Sequence, residues 1–254
     1  MQDTGAVALR VVLAFALAVA GGTVSVSVEV SHERLCRLIS LAAGTLLGVT
    51  LFSILPESYA SMPLWQLAVA LASGYVLFSL ISKYVFHVCP ACAASHFDDA
   101  TTHRFSEIAT AMVIALAVHS TMDGLALAAG HEVEMMGPLD SALLLAVCVH
   151  KVPEGLALGA LLLGAGFRRG VALSWVAAVE ATTLLGGVLG LWVLPRMSAV
   201  WLDVLLAHVG GGFIFLAVHA VFGELIKHGK KLVLLSFVSG MALIAALSLA
   251  VRLL

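Results

Sequence analysis

Long apolar runs separated by short polar stretches dominate this chain. A helix needs about 20 apolar residues to cross a bilayer core. Read for runs of that length, the sequence gives eight spans: Ala6–Val28, Leu35–Leu55, Leu64–Phe86, Ile108–Ala129, Leu139–Ala165, Val171–Leu194, Val200–Ile226 and Leu232–Leu253. The stretches between them are short and carry most of the charge. No Ser/Gly-rich linker or low-complexity segment divides them, so residues 1–254 read as a single transmembrane domain. The predicted fold is an all-α polytopic membrane protein. A second reading exists for the first span: Arg10, the apolar run and Ala18-Val19-Ala20 have the pattern of a signal peptide with a small-residue cleavage site.

Charge placement weighs against that second reading and sets an orientation. Lys and Arg concentrate on cytoplasmic loops. With the N-terminus outside, the inner loops hold Arg34, Arg37, Lys83, Arg104, Arg168, Arg169, Lys227, Lys230 and Lys231. The outer segments hold only Arg10, Arg196 and Arg252. Glu132 and Glu134 then fall outside, and eight spans leave both termini outside. Trp65, Trp175, Trp192 and Trp201 fall mostly near span ends, where interfacial anchors sit.

Composition narrows the class further. Of 254 residues 61% are hydrophobic and 11% charged, and the mean hydropathy is +1.09. Soluble domains run near 45–50% apolar and about 25% charged, so a soluble enzyme and a disordered chain are excluded. A net charge of −2 offers no surface for nucleic acid. The cysteines Cys36, Cys89, Cys92 and Cys148 are too few and too scattered for a disulfide scaffold.

A weak internal repeat points to a transporter. Gly44 lies thirteen positions before Glu57 in the second span, as Gly211 does before Glu224 in the seventh. Ser73-Gly74 and Ser239-Gly240 follow at nearly matching offsets in the third and eighth spans. Five spans separate the copies, so they run in opposite orientations. Spans 1–3 and 6–8 are thus expected to form an inverted repeat around a central pair, spans 4 and 5, a construction known from secondary transporters.

Ionisable side chains inside a span cost about 2.5–3.5 kcal/mol each on insertion scales, so a dense set of them needs a function. The fourth span carries His119, Ser120 and Asp123 within HSTMDGLAL; the fifth carries His150, Lys151 and Glu154 within HKVPEGLAL; the sixth adds Glu180. His119 and Asp123 are four apart, as are His150 and Glu154, so each pair shares one helical face. Facing each other, the two helices would converge two imidazoles and two carboxylates, a donor set suited to a divalent transition metal and above all Zn²⁺. Pro153 should kink or loosen its helix. Gly124 and Gly155, directly after the two carboxylates, allow close helix approach.

HSTMDG and HKVPEG, with Glu180 in the next span, resemble the signature helices of the ZIP family (Zrt/Irt-like divalent metal transporters). The resemblance covers essentially the whole chain. It implies movement of Zn²⁺, Cd²⁺, Fe²⁺, Mn²⁺ or Co²⁺ toward the cytoplasm by a homodimer, in which spans 1, 4, 5 and 6 move against a frame of spans 2, 3, 7 and 8. His119, Asp123, His150 and Glu154 match the family's primary metal site. Ser120, Lys151 and Glu180 match positions that hold a second metal in some members. The departure is Lys151: a protonated ammonium is no ligand and stands in for the second cation, so one metal per site is expected.

Secondary features sit outside this core. The stretch of about 87–105 carries His87, Cys89, Cys92, His96, Asp98, Asp99 and His103, a loop that either captures metal on the cytoplasmic side or is simply solvated. Glu57 and Glu224 are candidates for drawing cations to the two pore mouths, and His219 is a candidate inner pathway residue. Compact loops favour a bacterial inner membrane. The alternative function is an intramembrane zinc-dependent hydrolase. It lacks an H-E-x-x-H, and in H-K-V-P-E a lysine stands where the general base would be. A metal sensor without flux is the third reading.

Overall fold

A computed structural model describes residues 4–28, 32–81, 102–133, 138–227 and 230–253. Side chains near some of the helix ends, among them those of His103 and Glu224, also lie outside the description. The described residues are almost entirely helical, joined by short turns, with no strand among them. In chain order the helices are α1 (Thr4–Ser27), α2 (His32–Val49), α3 (Leu55–Ser61), α4 (Leu64–Leu80), α5 (Thr102–Val133), α6 (Pro138–Gly164), α7 (Arg169–Glu180), α8 (Thr182–Val193), α9 (Ala199–Lys227) and α10 (Lys230–Leu253).

Six stretches of the described residues are long and apolar enough to cross a bilayer: Thr4–Ser27, Arg37–Ser61, Leu139–Gly164, Arg169–Arg196, Ala199–His219 and Lys231–Ala250. Leu64–Leu80 is a shorter apolar helix. The distribution of polarity is inverted relative to a water-soluble protein. Trp65 and Trp192 are 70% exposed, while Asp123, Lys151 and Glu180 are fully buried. Lipid is the solvent that makes this arrangement stable.

Two spans are not simple rods. α2 passes through a π-helical turn, Thr50–Ile54, before continuing as α3. Pro56 follows at once; it has no N–H, and its ring would crowd the carbonyl of Phe52 in a regular helix. The Leu55 N–H reaches back five residues to the Thr50 carbonyl, so the extra residue in the turn absorbs the misfit. The expected sixth span is two helices, α7 and α8, meeting at Ala181 with φ −61° and ψ −17°. α6 runs as one helix from Pro138 to Gly164 with Pro153 inside it, where the missing N–H leaves the Val149 carbonyl without its usual helical partner. It ends in a glycine cap: Gly166 has φ 86°, and the N–H groups of Gly166 and Phe167 donate to the carbonyls of Leu163 and Leu162.

Four helix pairs set the architecture, and each crosses in the same reciprocal way. A Cβ added to Gly21 would collide with the Val152 carbonyl oxygen, and one at Gly155 with that of Ala18. The same exchange joins Gly124 to Thr183 and Gly186 to Thr121, Gly44 to Phe237 and Gly240 to Leu41, and Gly74 to His208 and Gly211 to Leu71. In every case the glycine lies three residues after the residue whose carbonyl receives its partner. The pairs are α1 with α6, α5 with α8, α2 with α10 and α4 with α9. With no hydrophobic drive between helices in lipid, this backbone-to-backbone approach, with its van der Waals and Cα–H···O contacts, supplies the association. A Gly124→Val or Gly155→Val chain is therefore expected to unfold in detergent at a clearly lower temperature, since overpacking costs about 1–3 kcal/mol. A melting point unchanged from wild type would show that the crossing tolerates a side chain.

A second buried charge network joins α1, α5 and α6 at one end of the bundle. Arg10 on α1 pairs with Asp140 near the start of α6, and His131 Nδ1 lies 3.2 Å from the other oxygen of that carboxylate. The first span is thus packed into the fold, and Arg10, which in sequence resembles a signal-peptide charge, is the partly buried partner of a buried Asp140. Removing one member of a buried pair costs about 3–5 kcal/mol, whereas replacing both with apolar residues is often close to neutral. Arg10→Met should lower thermal stability by that order, and Arg10→Met with Asp140→Leu should recover most of it. Equal losses in the single and double variants would contradict the pairing.

Candidate metal centre

α5 and α6 lie side by side, and the sequence places two polar faces on the seam. The i, i+4 spacing of His119 with Asp123 and of His150 with Glu154 stacks each pair one turn apart. Ligand atoms of all four residues lie within 4.8 Å of one another. His119, Asp123 and His150 are buried, and Glu154 is nearly so. The four-residue convergence expected from spacing is therefore present in the fold.

The orientation of His150 is fixed by its surroundings. Its Nδ1 lies 2.9 Å from the Ala146 carbonyl oxygen, which can only accept, so Nδ1 carries the proton. In the neutral ring Nε2 is then a bare lone pair, and it stands 3.0 Å from Asp123 Oδ2, another acceptor. Two lone pairs face each other stably only when a proton or a cation is shared between them. A backbone carbonyl holding one imidazole nitrogen so that the other is free is the usual support of a metal-ligating histidine. His119 Nε2 is 3.5 Å from the same Asp123 Oδ2. Ligands of a four-coordinate Zn²⁺ sit about 3.3 Å apart, so small side-chain rotations would close this set on an ion. The opposite oxygen, Asp123 Oδ1, and His119 Nδ1 have no hydrogen-bond partner among the described residues.

Lys151 occupies the middle of an adjoining cage of oxygens. Its Nζ donates to Ser120 Oγ at 2.7 Å, Glu154 Oε2 at 2.7 Å and Glu180 Oε2 at 3.0 Å, and lies 2.9 Å from Asp123 Oδ2. An ammonium has three N–H groups, so four acceptors share them. Ser120 Oγ lies 3.2 Å from both Glu154 Oε1 and Glu180 Oε2 and can donate its one proton to either. Glu180 reaches this cage because it is the last residue of α7, where the chain turns at Ala181. The next residue, Thr182, ties the junction to α5 through a hydrogen bond to the Ala117 carbonyl at 2.8 Å. Without Lys151, three carboxylates would be buried together. With it, one fully buried cation bridges Asp123, Glu154 and Glu180.

The remaining sequence candidates are dispersed. Glu57 lies on α3, away from the four-residue group. His219 lies on α9, with Nδ1 donating to the Phe215 carbonyl at 2.9 Å and its ring stacked on that of Phe215 at 3.9 Å. Glu224 lies near the end of α9, and its side chain is outside the described residues. His87, Cys89, Cys92 and His96 lie outside the described residues. His103 begins α5, with its side chain also outside the description. Sequence reasoning missed four residues: Arg10 and Asp140, which pair outside this centre, and two phenylalanines, Phe78 and Phe213, whose rings lie against His119 and His150. The signal for the first pair was an arginine within an apolar run. For the phenylalanines there was none, since Phe is unremarkable in a membrane helix.

A family model described as ZIP Zinc transporter matches residues 87–248, a stretch that includes α5 to α9 and the whole polar centre. Comparison with curated proteins gave no match. Transport rather than an enzymatic reaction is what this family is defined by, and a buried His/Asp/Glu group that could hold a metal ion lies within the matched stretch. The match covers well over half of the sequence, and the chain belongs to the ZIP zinc transporter family of integral membrane proteins that move divalent metal ions.

Proposed function

We propose that this protein carries one divalent transition-metal ion at a time, Zn²⁺ in preference to Cd²⁺, Fe²⁺, Mn²⁺ or Co²⁺, toward the cytoplasm by alternating access. The observation that carries this reading is the convergence of the ligand atoms of His119, Asp123, His150 and Glu154 within 4.8 Å of one another, with His150 held through Nδ1 so that Nε2 faces the group. Nitrogen and carboxylate oxygen donors in a four-ligand set suit Zn²⁺, while Mg²⁺ and Ca²⁺ favour larger all-oxygen shells. Two carboxylates offset the charge of the ion and lower the cost of holding it away from water. Lys151, anchored on three carboxylates, takes the place of a second ion, so the stoichiometry is one metal per chain.

The reading extends to eight spans with both termini outside, α4 and α5 completing the six apolar stretches. By span number, the glycine crossings join 1 with 5, 4 with 6, 2 with 8 and 3 with 7, always two spans of the same direction. An inverted repeat that exchanges 1 with 6, 2 with 7, 3 with 8 and 4 with 5 turns this set of crossings into itself. Its glycines correspond as well: Gly21, Gly44 and Gly74 have partners in Gly186, Gly211 and Gly240, each about 166 positions on. This self-consistency supports the repeat. Pairs α1/α6 and α5/α8 would be the moving body, and α2/α10 and α4/α9 the frame, within a homodimer in a bacterial inner membrane. Glu57 and Glu224 would attract cations at the two mouths, His219 would receive the ion on its inward path, and the stretch at 87–105 would capture it on release. Low pH would oppose binding, since protonated imidazoles are not ligands.

Competition in proteoliposomes tests the ion assignment. Saturable Zn²⁺ uptake should be inhibited by micromolar Cd²⁺, Co²⁺, Fe²⁺ or Mn²⁺ in some order and be indifferent to millimolar Mg²⁺ or Ca²⁺. Equal inhibition by Mg²⁺ would contradict a nitrogen-containing site.

A further inference from the structure

Two oxygen atoms belong to the metal group and the lysine cage at once. Asp123 Oδ2, which faces both imidazoles, lies 2.9 Å from Lys151 Nζ. Glu154 Oε2, 3.9 Å from His150 Nε2, accepts from the same ammonium at 2.7 Å. Lys151 is therefore seated on carboxylate oxygens that a metal ion would use. A Zn–O bond is about 2.1 Å, so an ion bonded to Asp123 Oδ2 would stand within about 5 Å of the ammonium. Two cations at that range in a buried site repel strongly. The other two acceptors of the ammonium, Ser120 Oγ at 2.7 Å and Glu180 Oε2 at 3.0 Å, lie outside the four-residue metal group. Glu180 is fully buried, and its second oxygen, Oε1, has no hydrogen-bond partner among the described residues. A buried carboxylate used on one side only has capacity for a further bond.

We infer that Lys151 is a tethered displacing cation. It holds Asp123 and Glu154 while the metal group is empty, withdraws onto Glu180 and Ser120 when an ion binds, and reclaims the two carboxylates as the ion leaves. This rests on the metal-site reading above and makes Glu180 and Ser120 positioning residues, which set ion affinity without touching the ion. The ammonium keeps its charge throughout; only its partners change. Two imidazoles and two carboxylates in buried surroundings grip an ion firmly, and a transporter needs binding weak enough for release. Departure of the ion would leave Asp123 and Glu154 as buried charges without a partner, a costly state. An ammonium already waiting on Glu180 Oε2 and Ser120 Oγ moves back onto them and removes that cost.

Two variants that preserve charge separate displacement from a general electrostatic field. Glu180→Asp keeps its charge but draws the carboxylate back by one methylene, and Ser120→Ala removes an uncharged acceptor. Each leaves the ammonium a poorer place to withdraw to. Each should therefore weaken Zn²⁺ binding by about fivefold or more, read by competition with a chelating dye, and speed Zn²⁺ release into excess chelator by a similar factor. The cost of moving the ammonium does not depend on which ion arrives. Co²⁺ affinity should thus fall by the same factor as Zn²⁺ affinity, to within about threefold, whereas a distorted metal group would change the two unequally. Unaltered Zn²⁺ affinity in both variants, or losses that differ between the ions by more than about threefold, would overturn the displacing role. Ser120→Ala is the smaller change and answers the question even if Glu180→Asp does not fold. The metal-site reading fails differently: wild-type protein that binds no Zn²⁺, or that binds it undiminished after Asp123→Ala, would overturn that reading and the displacing role together.

Discussion

Asp123→Ala is expected to weaken Zn²⁺ binding by at least about 100-fold, beyond the range seen when only a supporting group around a metal is lost. The reason is the position of one atom. Oδ2 of Asp123 lies 3.0 Å from His150 Nε2, 3.5 Å from His119 Nε2 and 2.9 Å from Lys151 Nζ. It is the point where both imidazoles and the lysine cage meet, and the residue is fully buried. Alanine removes a ligand and a charge, and also leaves a cavity beside Lys151. Asp123→Asn separates these effects: it keeps the volume and one oxygen, so stability should fall less while affinity falls nearly as far. The comparison is made by titrating purified protein with Zn²⁺ against a chelating dye, alongside thermal unfolding without metal. Near wild-type affinity in Asp123→Asn would mean that the carboxylate charge is not what holds the ion.

Lys151→Ala carries the second large effect, and its sign depends on metal. Removing the cation from among Asp123, Glu154 and Glu180 leaves three buried carboxylates without their shared partner. Breaking a buried ion pair costs about 3–5 kcal/mol, so the variant should be strongly destabilised in chelator. The vacated place is surrounded by Ser120 Oγ and three carboxylate oxygens, now within 2.7–3.0 Å of Nζ. A second divalent ion fits that charge and donor set. Elemental analysis should therefore rise from one metal per chain in the wild type to two in Lys151→Ala, and added Zn²⁺ should restore most of the lost thermal stability. A constant count of one, with no rescue by metal, would contradict the view that the lysine replaces an ion.

Much of the polar centre is legible in the sequence because the membrane makes it so. His119, Asp123, His150 and Glu154 stand out against an apolar background, and helical spacing alone assigns each pair to one face. The glycines that drew attention as a weak repeat, Gly44, Gly74, Gly211 and Gly240, are all at helix crossings in the structure. Gly124 and Gly155, noticed as neighbours of carboxylates, are crossing points too. What stays hidden in the sequence depends on who packs against whom. The partners Val152, Thr183 and Leu71 meet glycine through their backbone carbonyls, and any side chain could occupy those positions. The Arg10–Asp140 pair joins residues 130 positions apart in the chain, and neither hydropathy nor spacing encodes it. Pro153 lies inside α6 without ending it. The break falls instead at Ala181, an ordinary helix former, where it delivers Glu180 to the lysine cage.

The most direct measurement is Zn²⁺ uptake into proteoliposomes, wild type beside His150→Ala at equal protein density, with bound metal counted in the same preparations. Saturable uptake in the wild type with one Zn²⁺ per chain, both lost in His150→Ala, is the expected result. Zn²⁺ that binds without crossing, or flux indifferent to the loss of His150, would contradict transport through the His119, Asp123, His150 and Glu154 group.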